Sequence, residues 1–148
     1  MKYSQYRFKF YLNTSHYIQI EGKPGQPHSH TWEICLDMLK VREGFIQFHE
    51  IEEKIERFIA PYQDAMLNTT PPFDLINPTL ENCCEFFKDG FQAILSDNGW
   101  LLLMISMSET PTKAYVISIM NEDEETVTKA TNSLIDNILD EIKKAETA

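Results

Sequence analysis

Strict alternation of apolar and polar residues marks two segments in the first 40 residues as strands. In the first, apolar residues occupy every second position from 6 to 12 and polar residues stand between most of them. In the second, positions 32, 34, 36 and 38 are apolar in the same rhythm, which is the period of a half-buried strand. The turn-rich stretch E-G-K-P-G-Q-P at 21–27 separates them, so we predict an antiparallel hairpin.

Two later segments carry apolar residues at helical spacing. Residues 48–62 place isoleucine and aromatic side chains on one face, opposite a glutamate-rich face, and Pro61 marks the end of that helix. Thr79 can cap a second helix, which Asn98 and Gly99 close. The intervening stretch 68–78 contains three prolines and is predicted to be a loop.

The last third of the chain predicts two more strands and a final helix. The strands cover 100–107 and 113–120 and are joined by S-E-T-P-T, and the amphipathic helix begins near Asn121 with Glu124 as its cap partner. The order β-β-α-α-β-β-α favours an α+β domain with an antiparallel sheet. We expect one domain at 1–120, with the helix at 121–148 packed on it or extending it.

Composition narrows the classes of partner. The chain has 148 residues, 13 basic and 23 acidic side chains, and a net charge of −10. No basic stripe or spanning apolar run is present, so neither nucleic acid nor a membrane is expected as a partner. The start of the chain lacks the pattern of a signal peptide. Three cysteines, of which Cys83 and Cys84 are adjacent, favour a reducing compartment, and we expect a cytoplasmic protein.

Three histidines form the main chemical candidate. His28 and His30 stand two apart at the start of a predicted strand, where residues i and i+2 share one side about 7 Å apart. An antiparallel partner strand could bring His16 to the same face. Three histidines with one open position are typical of catalytic zinc, while the alternative is ordinary histidines near a turn. His49, at a helix start, is interpreted as a surface residue.

Six short motifs occur in a fixed order along roughly residues 5–120. The motifs are F-x-F-x-x-x-x-x-H ending at His16, H-S-H-T-W at 28–32, E-G-F-I-Q-F at 43–48, M-L-N at 66–68, N-P-T-L-E-N at 77–82 and M-S-E-T at 107–110. Together they resemble the 6-pyruvoyl-tetrahydropterin synthase and 6-carboxytetrahydropterin synthase family.

The resemblance implies a T-fold (tunnelling fold): a four-stranded antiparallel sheet with two helices on one face, here with an extra C-terminal helix. It implies self-association into a multimeric barrel, a trimer or hexamer, with sites at subunit boundaries. It also implies zinc on His16, His28 and His30, and a pterin held by Glu109, whose carboxylate can accept two adjacent N–H groups. Thr79 matches a threonine of the family's P-T-x-E motif, and it could touch the pterin edge.

The proton-transfer residues of the family are absent. Pro24 stands where the synthases carry a cysteine, and Gln63 and Asp64 stand where an aspartate and a histidine are expected. Gln47 likewise replaces an aspartate. A positioned base contributes roughly 10²–10⁴-fold to a rate, so the ordinary synthase reaction, of the carbon–oxygen lyase type, is not expected.

Two functional hypotheses follow, with an unrelated α+β protein as the remaining alternative. The first is a zinc-dependent enzyme of queuosine or pteridine biosynthesis with altered chemistry, in which zinc polarises the ligand and a buried Asp64 acts as base. The second is a non-catalytic binding or assembly module that retains the metal and ligand site. Turnover of reduced pterins in the presence of zinc distinguishes them.

Overall fold

The computed structural model describes residues 4–42, 44, 46–119 and 125–146. Its chain divides into two compact units, one ending at Ser118 and the other beginning at Ile119. Within the described residues, the strands are β1 (Tyr6–His16), β2 (Gln19–Ile20), β3 (Lys23–Pro24), β4 (His28–Lys40), β5 (Ala65–Met66), β6 (Trp100–Thr110) and β7 (Lys113–Ser118), and the helices are α1 (Phe48–Ile59), α2 (Leu80–Asp97) and α3 (Glu125–Glu146).

The predicted hairpin is confirmed. β1 and β4 pair antiparallel along the whole of β1, from Tyr6 opposite Met38 to His16 opposite His28. Both strands are longer than the alternation alone indicated, and both extend to include the histidines. The connection between them is itself a small hairpin in which β2 pairs with β3.

The main sheet has the order β5-β1-β4-β6-β7. Its four long strands are antiparallel neighbours, as predicted, and the fold class is α+β. The two-residue strand β5 adds a short parallel pairing at the outer edge of β1. The sequence did not indicate β5, because two residues cannot display a period.

Both predicted helices of the first unit are present and cover the apolar face of the sheet. α1 buries Ile51, Ile55 and Ile59 and continues into a 3₁₀ turn at Ala60–Tyr62 that contains Pro61. α2 begins at its N-cap Thr79, as predicted, and packs on β6. The two helices approach closely where the Phe58 ring lies over Gly90, since a Cβ added at Gly90 would collide with that ring.

The third long strand differs from its prediction in a way that affects the site. β6 runs to Thr110 and therefore contains Glu109, which was expected in a turn. Its register against β7 shifts between Met107 and Thr110, so that β6 carries one extra residue there. Irregularities of this kind redirect side chains and are frequent beside functional sites.

The second unit contains α3. In the residues whose side chains are described, Ile135, Ile138, Leu139 and Ile142 recur at helical spacing and are less exposed than the polar residues between them. The predicted helix start at Asn121 and the cap residue Glu124 lie outside the described residues. None of the described helices combines the length and apolar character that crossing a bilayer requires.

Candidate metal centre

Three imidazoles meet at one end of the β1–β4 pair. The Cα atoms of His16 and His28 are directly opposed, and His30 follows two residues later on the same face of β4. One candidate ligand atom from each ring lies within 4.8 Å of the others. The ring centroids are 4.5 Å apart for His16 and His28 and 4.6 Å apart for His28 and His30. The predicted convergence of the three histidines is therefore confirmed.

Backbone carbonyls fix two of these rings. The Nδ1–H of His16 donates to the carbonyl of Pro78 at 2.8 Å, and the Nδ1–H of His28 donates to the carbonyl of Gln26 at 3.0 Å. A carbonyl oxygen can only accept, so in the neutral ring the proton lies on Nδ1 and the lone pair on Nε2. This outer contact is the one that metal-binding histidines use to set their tautomer and orientation.

The three histidines differ in burial, from the fully buried His16 through His30 to the exposed His28. Burial lowers the pKa of His16, and His28 and His30 act in the same direction, while the Pro78 carbonyl and Glu109 oppose the shift. His16 is thus held in the neutral form that a metal requires. Among the described residues, the Nε2 atoms of His16 and His30 are buried without a hydrogen-bond partner.

Two asparagine side chains hold the segment that follows His16. The Asn68 amide accepts from the backbone N–H of Tyr17 and donates to its carbonyl, at 2.9 Å each. Asn77 does the same for Gln19, at 2.9 and 3.0 Å. The M-L-N and N-P-T-L-E-N motifs thus hold the backbone that follows His16. The sequence singled out both motifs but did not predict this role.

Glu109 reaches the histidines from β6. Its carboxylate oxygens lie 3.6 Å from Nε2 of His16 and 3.9 Å from Nε2 of His30, and its side chain is 27% exposed. Trp32 also lies near the site, since its ring centroid is 5.2 Å from that of His16. Its indole Nε1 is buried without a hydrogen-bond partner among the described residues. Glu109 therefore belongs to the immediate surroundings of the three imidazoles.

Thr79 and His49 have simpler environments. The Thr79 hydroxyl accepts the backbone N–H of Asn82 at 3.1 Å, as an N-cap. The neighbouring Pro78 carbonyl holds His16, so the start of α2 adjoins the site. His49 is exposed and pairs with Glu53 at 3.0 Å, in keeping with a surface role.

The sequence model of the family described as 6-pyruvoyl tetrahydropterin synthase matches residues 5–119. The chain belongs to this family. Comparison with curated proteins gives no match.

Solved structures of 6-pyruvoyl tetrahydropterin synthases and of one uncharacterized protein share the fold. The Caenorhabditis elegans 6-pyruvoyl tetrahydropterin synthase aligns with a TM-score of 0.65 at 11% identity, over 78% of this chain and 94% of that one. The Plasmodium falciparum enzyme aligns with 0.53 at 15% identity, over 78% and 98%. An uncharacterized Wolinella succinogenes protein gives 0.54 at 12% identity, over 81% and 100%. At these identities the likeness establishes the T-fold.

Two residues that replace the expected proton-transfer pair of the 6-pyruvoyl tetrahydropterin synthase family lie at the outer edge of β1. The Gln63 amide accepts the backbone N–H of Asn13 at 3.0 Å and donates to the carbonyl of Tyr11 at 2.8 Å. Asp64 has a positive φ of 56° and donates its backbone N–H to the carbonyl of Asn13 at 2.7 Å. Its side chain is exposed and so lacks the burial on which its proposed role as a base depends.

Pro24 and the cysteines provide no evident replacement. Pro24 pairs with Gln19 in the small hairpin. Burial raises the pKa of Cys35, which lies on the opposite face of the sheet, where the charges of Arg7, Asp37 and Lys9 also act on it. Burial also raises the pKa of Cys83 well above its ordinary value, and the nearby Glu109 carboxylate adds to that shift. These thiols are therefore protonated at neutral pH.

Proposed function

We propose that this member of the 6-pyruvoyl tetrahydropterin synthase family binds one zinc ion through His16, His28 and His30. The observation that carries the proposal is the pair of buried Nε2 atoms, on His16 and His30, that lack any partner in the described part of the chain. A buried polar atom without a partner is costly, and a coordinated cation removes that cost. Imidazole nitrogen is a ligand that zinc favours.

The second part of the proposal is a pterin-like heterocycle held by Glu109 and Thr79. The partly exposed Glu109 carboxylate can accept the two adjacent N–H groups of a pterin edge. The Thr79 hydroxyl uses one lone pair as helix cap, so its proton can still be donated to a ligand. Family membership supports this choice of ligand class.

For catalysis, zinc when bound supplies Lewis-acid polarisation of hydroxyl or carbonyl groups. The protein side chains then have to move protons, and Asp64 is the candidate base. In the single chain Asp64 is exposed. Any synthase-like reaction therefore depends on chemistry other than that of the family's cysteine, aspartate and histidine.

One observation favours the second candidate, a non-catalytic binding or assembly module. Both polar ends of Gln63 are occupied by the backbone of β1, where the family has a proton-transfer residue. A side chain held in this way serves the fold and is not available to a ligand. The metal and heterocycle site would then recognise a small molecule without converting it.

We propose self-association into a barrel, a trimer or hexamer, for either candidate. Within the described residues, β7 pairs with β6 alone, and the first half of β1 pairs with β4 alone. Val116 on β7 is 50% exposed. Open strand edges are templates for pairing with another chain, and sedimentation equilibrium measures whether the mass is a multiple of three chains.

A reducing compartment, the cytoplasm, suits this protein. All three cysteines are free and buried. They contribute to the core as small apolar side chains.

Metal analysis combined with heterocycle binding tests the proposed function. We expect one equivalent of zinc per chain, and dihydroneopterin binding that weakens after chelation and recovers when zinc is restored. A protein that binds neither zinc nor dihydroneopterin contradicts the proposal. Binding without turnover of reduced pterins selects the non-catalytic candidate.

A further inference from the structure

Two hydrogen-bond acceptors face each other in the candidate metal centre. The proton on Nδ1 of His16 is committed to the carbonyl of Pro78, which leaves a lone pair on Nε2. That Nε2 lies 3.6 Å from a carboxylate oxygen of Glu109. Since a carboxylate is also an acceptor, the two atoms repel each other unless a cation stands between them.

The second carboxylate oxygen has a similar environment. It lies 3.9 Å from Nε2 of His30, which is too long for a hydrogen bond. Tetrahedral zinc has bonds of 2.0–2.2 Å to nitrogen and oxygen, so its ligand atoms stand about 3.3–3.6 Å apart. The 3.6 Å separation from His16 is therefore at the upper end of the range for two ligands of one ion, and the 3.9 Å separation of the second oxygen from His30 lies slightly beyond it.

The backbone of β6 supports this position of the carboxylate. Glu109 falls within the register shift between Met107 and Thr110, where one extra residue interrupts the regular pairing with β7. Such a bulge redirects side chains. In this chain, it accompanies a carboxylate aimed at two imidazoles.

We propose that Glu109 is the fourth ligand of the metal in the heterocycle-free protein, completing a three-histidine, one-glutamate site. This inference rests on the metal half of the proposed function and revises the open fourth position expected from the sequence. Its consequence is an exchange: a heterocycle that pairs with Glu109 must take the carboxylate from the metal. The vacated position then becomes available to an oxygen atom of the heterocycle's side chain.

Metal titrations of E109Q test the assignment without any heterocycle. Zinc affinity is measured by competition with a chromophoric chelator for the wild type, E109Q and the control E33Q. Glu33 is a suitable control, because it is a nearby carboxylate: its Cα is paired with that of Ser108, the residue before Glu109. Its side chain contacts Lys9 and Tyr11 instead of the histidines. We expect E109Q to bind zinc at least about tenfold more weakly, the lower bound for loss of even an outer contact, and E33Q to match the wild type.

Cobalt(II) provides a second measurement on the unaltered chain. Four protein ligands should leave the visible bands of the cobalt-loaded wild type unchanged on addition of azide, whereas E109Q should bind azide and change its spectrum. If E109Q binds zinc as tightly as the wild type, or if the cobalt-loaded wild type binds azide, the assignment is overturned. Dihydroneopterin is added last and should move the wild-type cobalt spectrum toward that of E109Q. If it does not bind at all, the heterocycle half of the proposed function fails, while the metal titrations still decide the role of Glu109.

Discussion

Side chains bond to backbone groups both at the end of the sheet that carries the three histidines and at the outer edge of β1. The two regions differ in how many polar atoms of the side chain these bonds use. At the edge, both polar ends of the Gln63 amide are bonded to the backbone of β1. At the histidine end, His16 bonds to a backbone carbonyl through Nδ1 alone, and its Nε2 stays buried without a partner among the described residues. A polar side chain with every atom paired serves the fold, whereas one held by half of its polar atoms is prepared for a ligand.

The same difference explains how one chain can keep the three-histidine site while it lacks the family's proton-transfer residues. The Pro78 carbonyl holds the ring of His16, and two asparagines hold the backbone of residues 17 and 19. None of these contacts involves positions 63 and 64. Gln63 is bonded to the backbone of β1 at Tyr11 and Asn13, and Pro24 pairs with Gln19 in the small hairpin. We therefore expect substitution at those positions to leave the proposed metal centre intact, and the following predictions test that independence.

Replacement of His28 should have the largest effect. His28→Ala removes one of three imidazole ligands, and we expect stoichiometric zinc to be lost while the far-ultraviolet circular dichroism spectrum stays unchanged, since His28 is exposed and outside the core. His49→Ala is the matched control, an exposed histidine elsewhere, and should keep one equivalent. A full equivalent of zinc in His28→Ala would show that the three histidines are not the site.

Catalysis provides the next test. We expect conversion of dihydroneopterin triphosphate to 6-carboxy- or 6-pyruvoyl-tetrahydropterin to be slower than in an authentic synthase by roughly 10²–10⁴-fold, the usual contribution of a positioned base. Pro24→Cys alone should not restore it, because position 24 is paired with Gln19 and the next residue, Gly25, donates its N–H to the carbonyl of Ile18. Robust turnover by the unaltered protein would mean that another proton shuttle exists.

The sequence predicted the four long strands, both helices of the first unit and the convergence of the histidines, because each depends on a local period or on register in one hairpin. It placed Glu109 in a turn, since a one-residue bulge in β6 leaves no periodic signal. It also treated Asn77 only as part of a motif, because its bonds to Gln19 span 58 residues. Contacts at that separation become visible only when the fold is known.

Thiol reactivity tests whether a cysteine could replace the missing base. Burial raises the pKa of Cys84 to about 12, with Glu85 adding to the shift and Lys88 opposing it. Near pH 8 its thiolate fraction, and hence its alkylation rate, should be about 1,000-fold below that of a free thiol. Mass spectrometry after iodoacetamide treatment of native and urea-unfolded protein measures the ratio.

The same raised pKa predicts how stability depends on pH. The folded thiol keeps its proton to higher pH than the unfolded one, so its contribution to stability is complete below about pH 8.5 and is lost as the pH rises toward 12. Urea unfolding between pH 7 and 10 measures the trend. Rapid native alkylation of Cys84 near pH 8 would contradict the assigned burial.

A smaller effect is expected for the heterocycle. With zinc held saturating, Glu109→Gln replaces one acceptor by a donor that faces a donor of the pterin edge. Dihydroneopterin binding should weaken by about 1–3 kcal/mol, like other broken buried hydrogen bonds. Fluorescence titration measures it with Glu33→Gln as control, and an unchanged affinity in Glu109→Gln would remove pterins as ligands.

The smallest effect is expected for Gln63, at the outer edge of β1. Gln63→Ala removes two partly exposed hydrogen bonds to the edge of β1, so the free energy of unfolding should fall by about 1 kcal/mol. Gln63→Asp should lose a similar amount, because a carboxylate cannot donate to the carbonyl of Tyr11.

Gln5→Ala, at an exposed position before β1, is the control and should change little. Urea unfolding gives the free energies, and zinc titration of the same variants should give unchanged affinity. If Gln63→Ala is as stable as the wild type but binds zinc more weakly, position 63 contributes to the metal centre, and the separation between the two regions does not hold.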